Sequence, residues 1–440
     1  MYVADLACGT GTLLTAAYQR IGWLFEAAGG EARMLHKPLI EHGLIGLDVL
    51  PAAVHLTATI LSGVYPNEQY EQSQLYIARY GLGGNESRGV SIGSLELLDP
   101  NPQFEAFASL AQRVDARSAG AVAVDLGYET QNLDLCIMNP PYTRNTNHEG
   151  DRAADPFPAF AALGVARSQQ RQMSTRLNRL VQRTMAHGNA GEASAFLALA
   201  DKFTRPGGTI ALVLPLTALM GESWSRARRA LENGYHDIQI VTISGRATRA
   251  LGFSADTNIA ECLLVAQKDT KEALFDNRRA SPRALMISLD QRPKDTVVSA
   301  LLTEVLTELR ASDSIRRLED GPFGGTLIKI GDEVWGSVAS IPINWGPGWT
   351  GARIADFSLA QWIYRLVEQG QVWLPGLPES SARPIRVTRF GDVAQLGPLH
   401  RDINGPSPRG SLDIRARLFN EVATYPVLWA HDAQRETTLV

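Results

Sequence analysis

Apolar positions along the chain fall into two alternating patterns: short continuous runs, and longer stretches in which they recur every three or four residues. Val3-Ala4 is a short run, and it is followed by Leu13, Leu14, Ala17, Ile21 and Leu24 at helical spacing. Leu44-Ile45-Gly46-Leu47 and Leu135-Cys136-Ile137-Met138 are further runs, unbroken in the way of strands buried on both faces. The first of these leads into a helix expected over Pro51 to Leu61. Further along, a helix over Glu192 to Phe203 is closed by Arg205-Pro206-Gly207-Gly208, and a strand over Thr209 to Leu214 follows. A helix over Ser223 to Leu231 and strands over Ile238 to Ile243 and Asn258 to Ala266 continue the series. Helices alternating with buried strands predict an α/β, Rossmann-like, doubly wound sheet.

Bulk properties narrow this picture. A chain of 440 residues suggests two or three domains. A 45% hydrophobic and 20% charged composition is that of a water-soluble globular protein, and no run is long enough to predict a membrane span. Cys8, Cys136 and Cys262 lack disulfide or metal spacing and the start has no basic leader, so a cytoplasmic setting is expected. The net charge of −4 gives no global support for nucleic-acid binding, so any such surface must be local.

Candidate chemistry clusters where runs end. Asp5-Leu6-Ala7-Cys8-Gly9-Thr10-Gly11 is a strand leaving into a glycine turn, which lets backbone approach a ligand at a helix N-terminus. Asp48 closes the second run, where an acid meets ribose hydroxyls in nucleotide-binding folds; a helix cap for Pro51 to Leu61 is the structural alternative. Ser91-Ile92-Gly93-Ser94-Leu95 reads as a third strand end, or equally as an ordinary turn. The spacing from Asp5 to Asp48 exceeds the ~20 residues of a dinucleotide fingerprint and no third glycine follows Gly11, which disfavours a simple NAD enzyme. Gly29 to His42 is expected as a loop on the sheet edge. Asn139-Pro140-Pro141-Tyr142 ends the run at Met138. Its prolines fix φ and remove donors, leaving carbonyls free to accept from a ligand, and a strand ended by a Pro-Pro turn accounts for the tetrapeptide equally well.

In this order the motifs resemble those of the adenine-N6 DNA methyltransferases of restriction–modification systems, in the gamma arrangement and of type I or type IIG-like form. The likeness covers roughly residues 1–268. It implies S-adenosylmethionine as cofactor, with Asp5, Ala7, Gly9, Thr10 and Gly11 around its amino-acid part, Asp48 at the ribose and Ser94-Leu95 by the adenine. It further implies that Asn139 and Pro140 accept the two amino hydrogens of a flipped-out adenine, Pro141 completes the motif, and Tyr142 stacks on the base. Phe253, preceding the strand at Asn258 to Ala266, would be a second stacking wall; core packing under a loop is its structural alternative. Neither a metal nor a covalent nucleophile is required. The family's helical segment before the first strand has no counterpart here, which predicts a form shortened at its N-terminus and in its recognition region.

The rest of the chain is read for partners. Residues 144–187 hold seven arginines against three acids, and Arg167, Arg171, Arg176, Arg179 and Arg183 recur at helical gaps. They serve as a phosphate-contacting face on double-stranded DNA or simply as a solvated helix face. A methyltransferase domain over 1–268, a connecting strand-helix unit and linker over 269–340 (strand and helix in Ala284 to Leu309) and a partial α+β target-recognition-like region over 341–440 are the expected divisions. Trp335, Trp345, Trp349, Trp362 and Trp373 suit a recognition-type domain or a β-rich packing module. Arg389-Phe390-Gly391-Asp392-Val393 and Tyr425-Pro426-Val427-Leu428-Trp429 more weakly resemble a restriction-type recognition domain, for which a specificity or nuclease subunit is a further expected partner. Two other readings stay open: methylation of a protein glutamine amide, and a DNA-binding remnant without activity.

Overall fold

The computed structural model describes residues 1–81, 89–99, 111–114, 121–123, 131–146, 154–244, 252–254, 259–270, 282–320, 325–343, 349, 357–372, 378, 381–388, 403–404 and 413–414. The strands of its main sheet are β1 (Val3–Asp5), β2 (Leu44–Asp48), β3 (Gln74–Ala78), β4 (Ala111–Val114), β5 (Ala121–Ala123), β6 (Leu133–Met138), β7 (Thr204–Pro215), β8 (Tyr235–Ile243), β9 (Glu261–Lys268), β10 (Arg283–Leu289), β11 (Thr326–Ile330) and β12 (Glu333–Pro342), and three two-stranded ribbons lie apart from it. The main sheet is 12-stranded, of order β11-β12-β10-β8-β9-β7-β6-β1-β2-β3-β4-β5. From β3 to β7 the pairing is parallel, whereas β9 runs antiparallel between β7 and β8. This is the α/β, Rossmann-like, doubly wound sheet expected from the alternation.

Helices cover both faces: α1 (Thr12–Ala27), α2 (Pro51–Val64), α3 (Arg167–Val181), α4 (Glu192–Phe203), α5 (Ser225–Gly234), α6 (Thr296–Ala311) and α7 (Phe357–Glu368). Alternate residues of each central strand feed two cores. Val3, Leu135 and Ile137 meet Leu14, Tyr18, Val54 and Leu61 of α1 and α2, while Ala4, Cys136 and Met138 meet Met173, Leu177, Phe196 and Leu199 of α3 and α4. A third core of Ile287, Leu302, Ile328, Trp335 and Val338 lies under α6. Of the residues spaced to bury α1, Leu14 and Ala17 are inside, but Leu24 is exposed. Trp335 and Trp349 are both buried, and Trp349 Nε1 donates to Glu232 on α5 at 2.7 Å.

Three expectations are corrected. The third strand of the sheet is β3; Ser91–Ile92 instead pairs antiparallel with Tyr80–Gly81 in a separate ribbon. Nor is Gly29 to His42 a simple loop, since most of it winds into helical turns (Ala32–Leu35, His36–Pro38 and Leu39–Gly43) that bury His36 and Ile40. The Arg205 to Gly208 stretch lies within β7 rather than outside it, with a register shift where it passes Leu133–Leu135. Past Lys268 the sheet continues without a break in pairing, because β10 lies parallel beside β8 from Ile238 to Ile243. Trp345, Trp373, Arg389 to Val393 and Tyr425 to Trp429 lie outside the described residues.

Candidate active site

The chain departs from β1 toward β2 and β3 on one side and returns as β6 on the other, so a crevice opens at the carboxyl ends of β1, β2 and β6. Register fixes what meets there. Ala4 sits beside Cys136 and Asp5 beside Gly46, so the glycine turn, Asp48 and Asn139 all leave the sheet on one edge.

On the β1 side, Gly9 and Gly11 adopt φ of 51° and 79°, and Gly11 caps α1 from the left-handed region. A Cβ on Gly11 would lie 2.4 Å from Cγ2 of Thr57, whereas one on Gly9 would meet nothing within 4 Å. Gly11 is therefore needed for packing, and Gly9 leaves space in front of the turn. Thr57 Oγ1 donates to the Gly9 carbonyl at 3.1 Å. Asp48 joins the two turns: Gly9 N donates to its Oδ2 at 2.8 Å and Leu50 N to its Oδ1 at 2.9 Å. Leu50, not Asp48, occupies the cap of α2.

Asp5 is 1% exposed and accepts from Ala7 N at 3.0 Å. Burial pushes its carboxyl up to about 8, the Ala7 N–H opposing this and the charge of Asp48 adding to it. Among the described residues no cation pairs with it. A buried acid without a counter-ion, beside a half-buried acid and an open glycine turn, suits a cationic ligand carrying hydroxyls. Because the folded-state pKa lies above the ordinary value near 4, the folded chain holds the extra proton, and stability falls as pH rises from about 4 to about 8. Asp5→Asn is accordingly expected to raise the melting temperature at pH 8 but not at pH 4, and to weaken binding of a cationic cofactor. Calorimetric melts at the two pH values and titration with S-adenosylmethionine check both parts; an equal shift at both pH values counts against this account.

Across the crevice, Asn139 is exposed at the end of β6, Pro140 is buried, Pro141 is exposed and Tyr142 is half-buried. Tyr142 OH donates to Asn139 Oδ1 at 3.0 Å, and Asn139 Nδ2 donates to Ser254 Oγ at 3.1 Å. Burial and the neighbouring Glu261 carboxylate raise the phenol's pKa, so Tyr142 stays a donor. No backbone N–H among the described residues donates to the Pro140 carbonyl. Phe253 is half-buried on the same side, its N–H held by Glu261 Oε2 at 2.7 Å and its carbonyl by Arg292 at 3.3 Å. Behind the tetrapeptide, Glu192 N at the start of α4 donates to the Thr143 carbonyl at 3.0 Å. Burial pushes the Glu192 carboxyl up to about 8.

The remaining candidates separate. Ser94 and Leu95 are buried, at 4% and 2% exposure, in the turn Gly93–Leu98, where Leu95 belongs to the main core. Arg176 turns inward: its Nε donates to both oxygens of buried Glu96, at 2.7 and 2.8 Å. Arg167 donates to the Ala154 carbonyl at 2.5 Å, and the Arg171 guanidinium lies 5.9 Å from the centroid of the Phe157 ring. Arg179 and Arg183 are exposed. Cys8, Cys136 and Cys262 are buried, and burial pushes Cys262 up to about 12 and the other two higher, so none is suited to act as a nucleophile. No helix among the described residues is long and apolar enough to cross a membrane.

Sequence reasoning missed Ser254, Glu261, Thr57 and Gly191. Only Glu261 carried a signal, as an acid opening the otherwise apolar run Cys262-Leu263-Leu264-Val265-Ala266.

No protein-family model matches the sequence, and no curated protein matches it. Among solved structures, the chain is similar to the EcoKI type I restriction enzyme M protein, with 15% identity over 65% of this chain and 44% of that one and a TM-score of 0.36. It is also similar to the methyltransferase subunit of a type I restriction-modification system from Streptococcus thermophilus, with 16% identity over 69% of this chain and 47% of that one and a TM-score of 0.33. A third likeness is to the DrdV–DNA complex, with 11% identity over 80% of this chain and 28% of that one and a TM-score of 0.43. The chain spans less than half the length of each of these three structures.

Proposed function

We propose that the chain transfers a methyl group from S-adenosylmethionine to the N6 amino group of adenine in double-stranded DNA, as the modification part of a restriction–modification system. The observation that carries this is Asn139-Pro140-Pro141-Tyr142 at the end of β6, on the same sheet edge as the glycine turn of β1 and the carboxylate of Asp48. When bound, the cofactor supplies an electrophilic methyl on a sulfonium. Asp5, Ala7, Gly9, Thr10 and Gly11 would hold its amino-acid part and Asp48 its ribose, while Ser94 and Leu95 would approach the adenine after local movement, because both are sealed into the core.

An aromatic amine is a poor nucleophile while its lone pair is delocalised into the ring. Asn139 Oδ1 and the Pro140 carbonyl would together accept both amino hydrogens and leave the lone pair toward the methyl; as the N–CH3 bond formed, the S–CH3 bond would break to a neutral thioether and one amino proton would pass to solvent, so catalysis consists of positioning and electrostatics. In the present arrangement Oδ1 already accepts from Tyr142 OH, so an entering base displaces that bond, and the freed ring stacks on it opposite Phe253. This stacking offsets part of the few kcal/mol spent in unstacking the base.

The test is tritiated-methyl transfer to unmethylated mixed-sequence DNA. Label in DNA at adenine N6 supports the reading; label in protein but not in DNA overturns it. The basic helix α3 adds a second expectation. Arg179 and Arg183 are exposed and pair with no acid among the described residues, and would contact phosphates beside the site. Replacing both by glutamine is expected to lower the slope of log affinity against log salt by about 2, read by fluorescence anisotropy with duplex DNA. An unchanged slope removes them from the interface.

A further inference from the structure

One buried carboxylate gathers the residues around Asn139. Glu261 opens β9 and is 1% exposed, yet its Oε2 accepts from two successive backbone amides, Phe253 N at 2.7 Å and Ser254 N at 2.8 Å. The residue it places, Ser254, accepts in turn from Asn139 Nδ2 at 3.1 Å. The Ser254 hydroxyl also bonds the Tyr142 phenol and accepts from Nδ2, so Oδ1 is the Asn139 atom left toward the crevice, where Tyr142 OH now meets it. The reverse orientation would present a donor to a substrate amine that is itself a donor, and no productive contact would form. Gly252, next to the clamped pair, is held close as well, since a Cβ there would lie 3.2 Å from the Ile259 carbonyl.

We propose that Glu261 and Ser254 are positioning residues for methyl transfer: Glu261 clamps the Phe253–Ser254 turn, and Ser254 fixes the Asn139 amide with its oxygen toward the substrate. This rests on the methylation reading above. Neither side chain is placed at the reacting atoms; both act through Asn139, Phe253 and the Tyr142 phenol, which the Glu261 and Ser254 side chains also meet. Because both amide bonds end on one oxygen of Glu261, the carbonyl oxygen of a glutamine can reproduce them, whereas alanine leaves both amides buried without a partner.

The experiment joins steady-state kinetics with hydrogen exchange at the Phe253 and Ser254 amides, using the full chain, S-adenosylmethionine and unmethylated DNA. Glu261→Ala is expected to lower kcat about 10²-fold, the scale of a 1 Å misplacement in an active site, and to speed exchange at both amides. Glu261→Gln should restore most of both. Ser254→Ala, at a half-exposed position where misfolding is not expected, should lower kcat roughly tenfold, as for loss of about 1.4 kcal/mol, with exchange unchanged. Cofactor affinity should stay at the wild-type value in all three. Wild-type kcat in Ser254→Ala, or unaltered exchange in a folded Glu261→Ala, overturns the inference while leaving the methylation reading intact. If the unsubstituted chain moves no methyl group to DNA, the methylation reading fails and the catalytic role of the clamp fails with it.

Discussion

Asn139→Ala is expected to reduce methyl transfer by about 10²–10³-fold, the usual consequence of removing one preorganised acceptor or donor from a site that works by charge placement. The side chain is exposed at the end of β6, and among the described residues it bonds Tyr142 and Ser254, so the melting temperature should barely change. Binding of S-adenosylmethionine should be intact, because none of the residues proposed to hold it is a hydrogen-bond partner of the Asn139 side chain among the described residues. Two companions sharpen the result. Tyr142→Phe keeps the ring and frees Oδ1 from the phenol, so kcat should be preserved, whereas Tyr142→Ala removes the stacking surface and should lower it. Retention of more than a third of the wild-type kcat by Asn139→Ala would falsify the role given to its oxygen.

The second large effect is expected at Gly191, which precedes α4 at φ 83°, ψ 178°. An alanine there meets two penalties. The backbone conformation is one that L residues rarely adopt, at a cost of about 1–3 kcal/mol. In addition, its Cβ would lie 2.8 Å from the Tyr142 carbonyl and 3.1 Å from that of Thr143, both backbone atoms of the candidate catalytic loop. The loop must shift, and kcat is expected to fall by about 10²-fold together with the melting temperature. Gly221 supplies the control: it has φ 79° and ψ 147° but nothing within 4 Å of its would-be Cβ. Gly221→Ala should lose only the backbone share of the stability and keep its kcat. Equal kcat losses in the two variants would assign the effect to stability alone.

What could be read from the sequence was local. β1 with its glycine turn, β2 ending in Asp48, and β6 ending in Asn139 each announce themselves within ten residues, because buried parallel strands are continuous apolar runs and the turns need glycine or proline. α4 was also legible, from Glu192 to Phe203, by its spacing alone. What escaped depends on distant pairing. β3 carries the short apolar run Leu75-Tyr76-Ile77-Ala78, and its place as the third strand follows only from lying beside β2. Arg176 looked equivalent to its neighbours on a basic face, and its pairing with Glu96, 80 positions away, distinguishes it. Ser254 and Glu261 had no visible link to Asn139 for the same reason: 115 positions separate Asn139 from Ser254, and the fold alone brings them together.

The continuation of the sheet beyond Lys268 bears on how the protein can be divided. β8 is paired on both sides, and residues Ile238, Ile240, Val241 and Ile243 line up with Ala284, Met286, Ile287 and Leu289 of β10. A chain stopped at Lys268 would turn this apolar strand into a bare rim with unpaired amides and carbonyls, a template for adding strands from other molecules. Such a piece should aggregate, whereas one carried through Pro342 keeps β8 covered by β10, with β12 and β11 beyond it, and ends the sheet on the short strand Thr326–Ile330, whose Lys329 is the kind of charge that discourages edge-to-edge association.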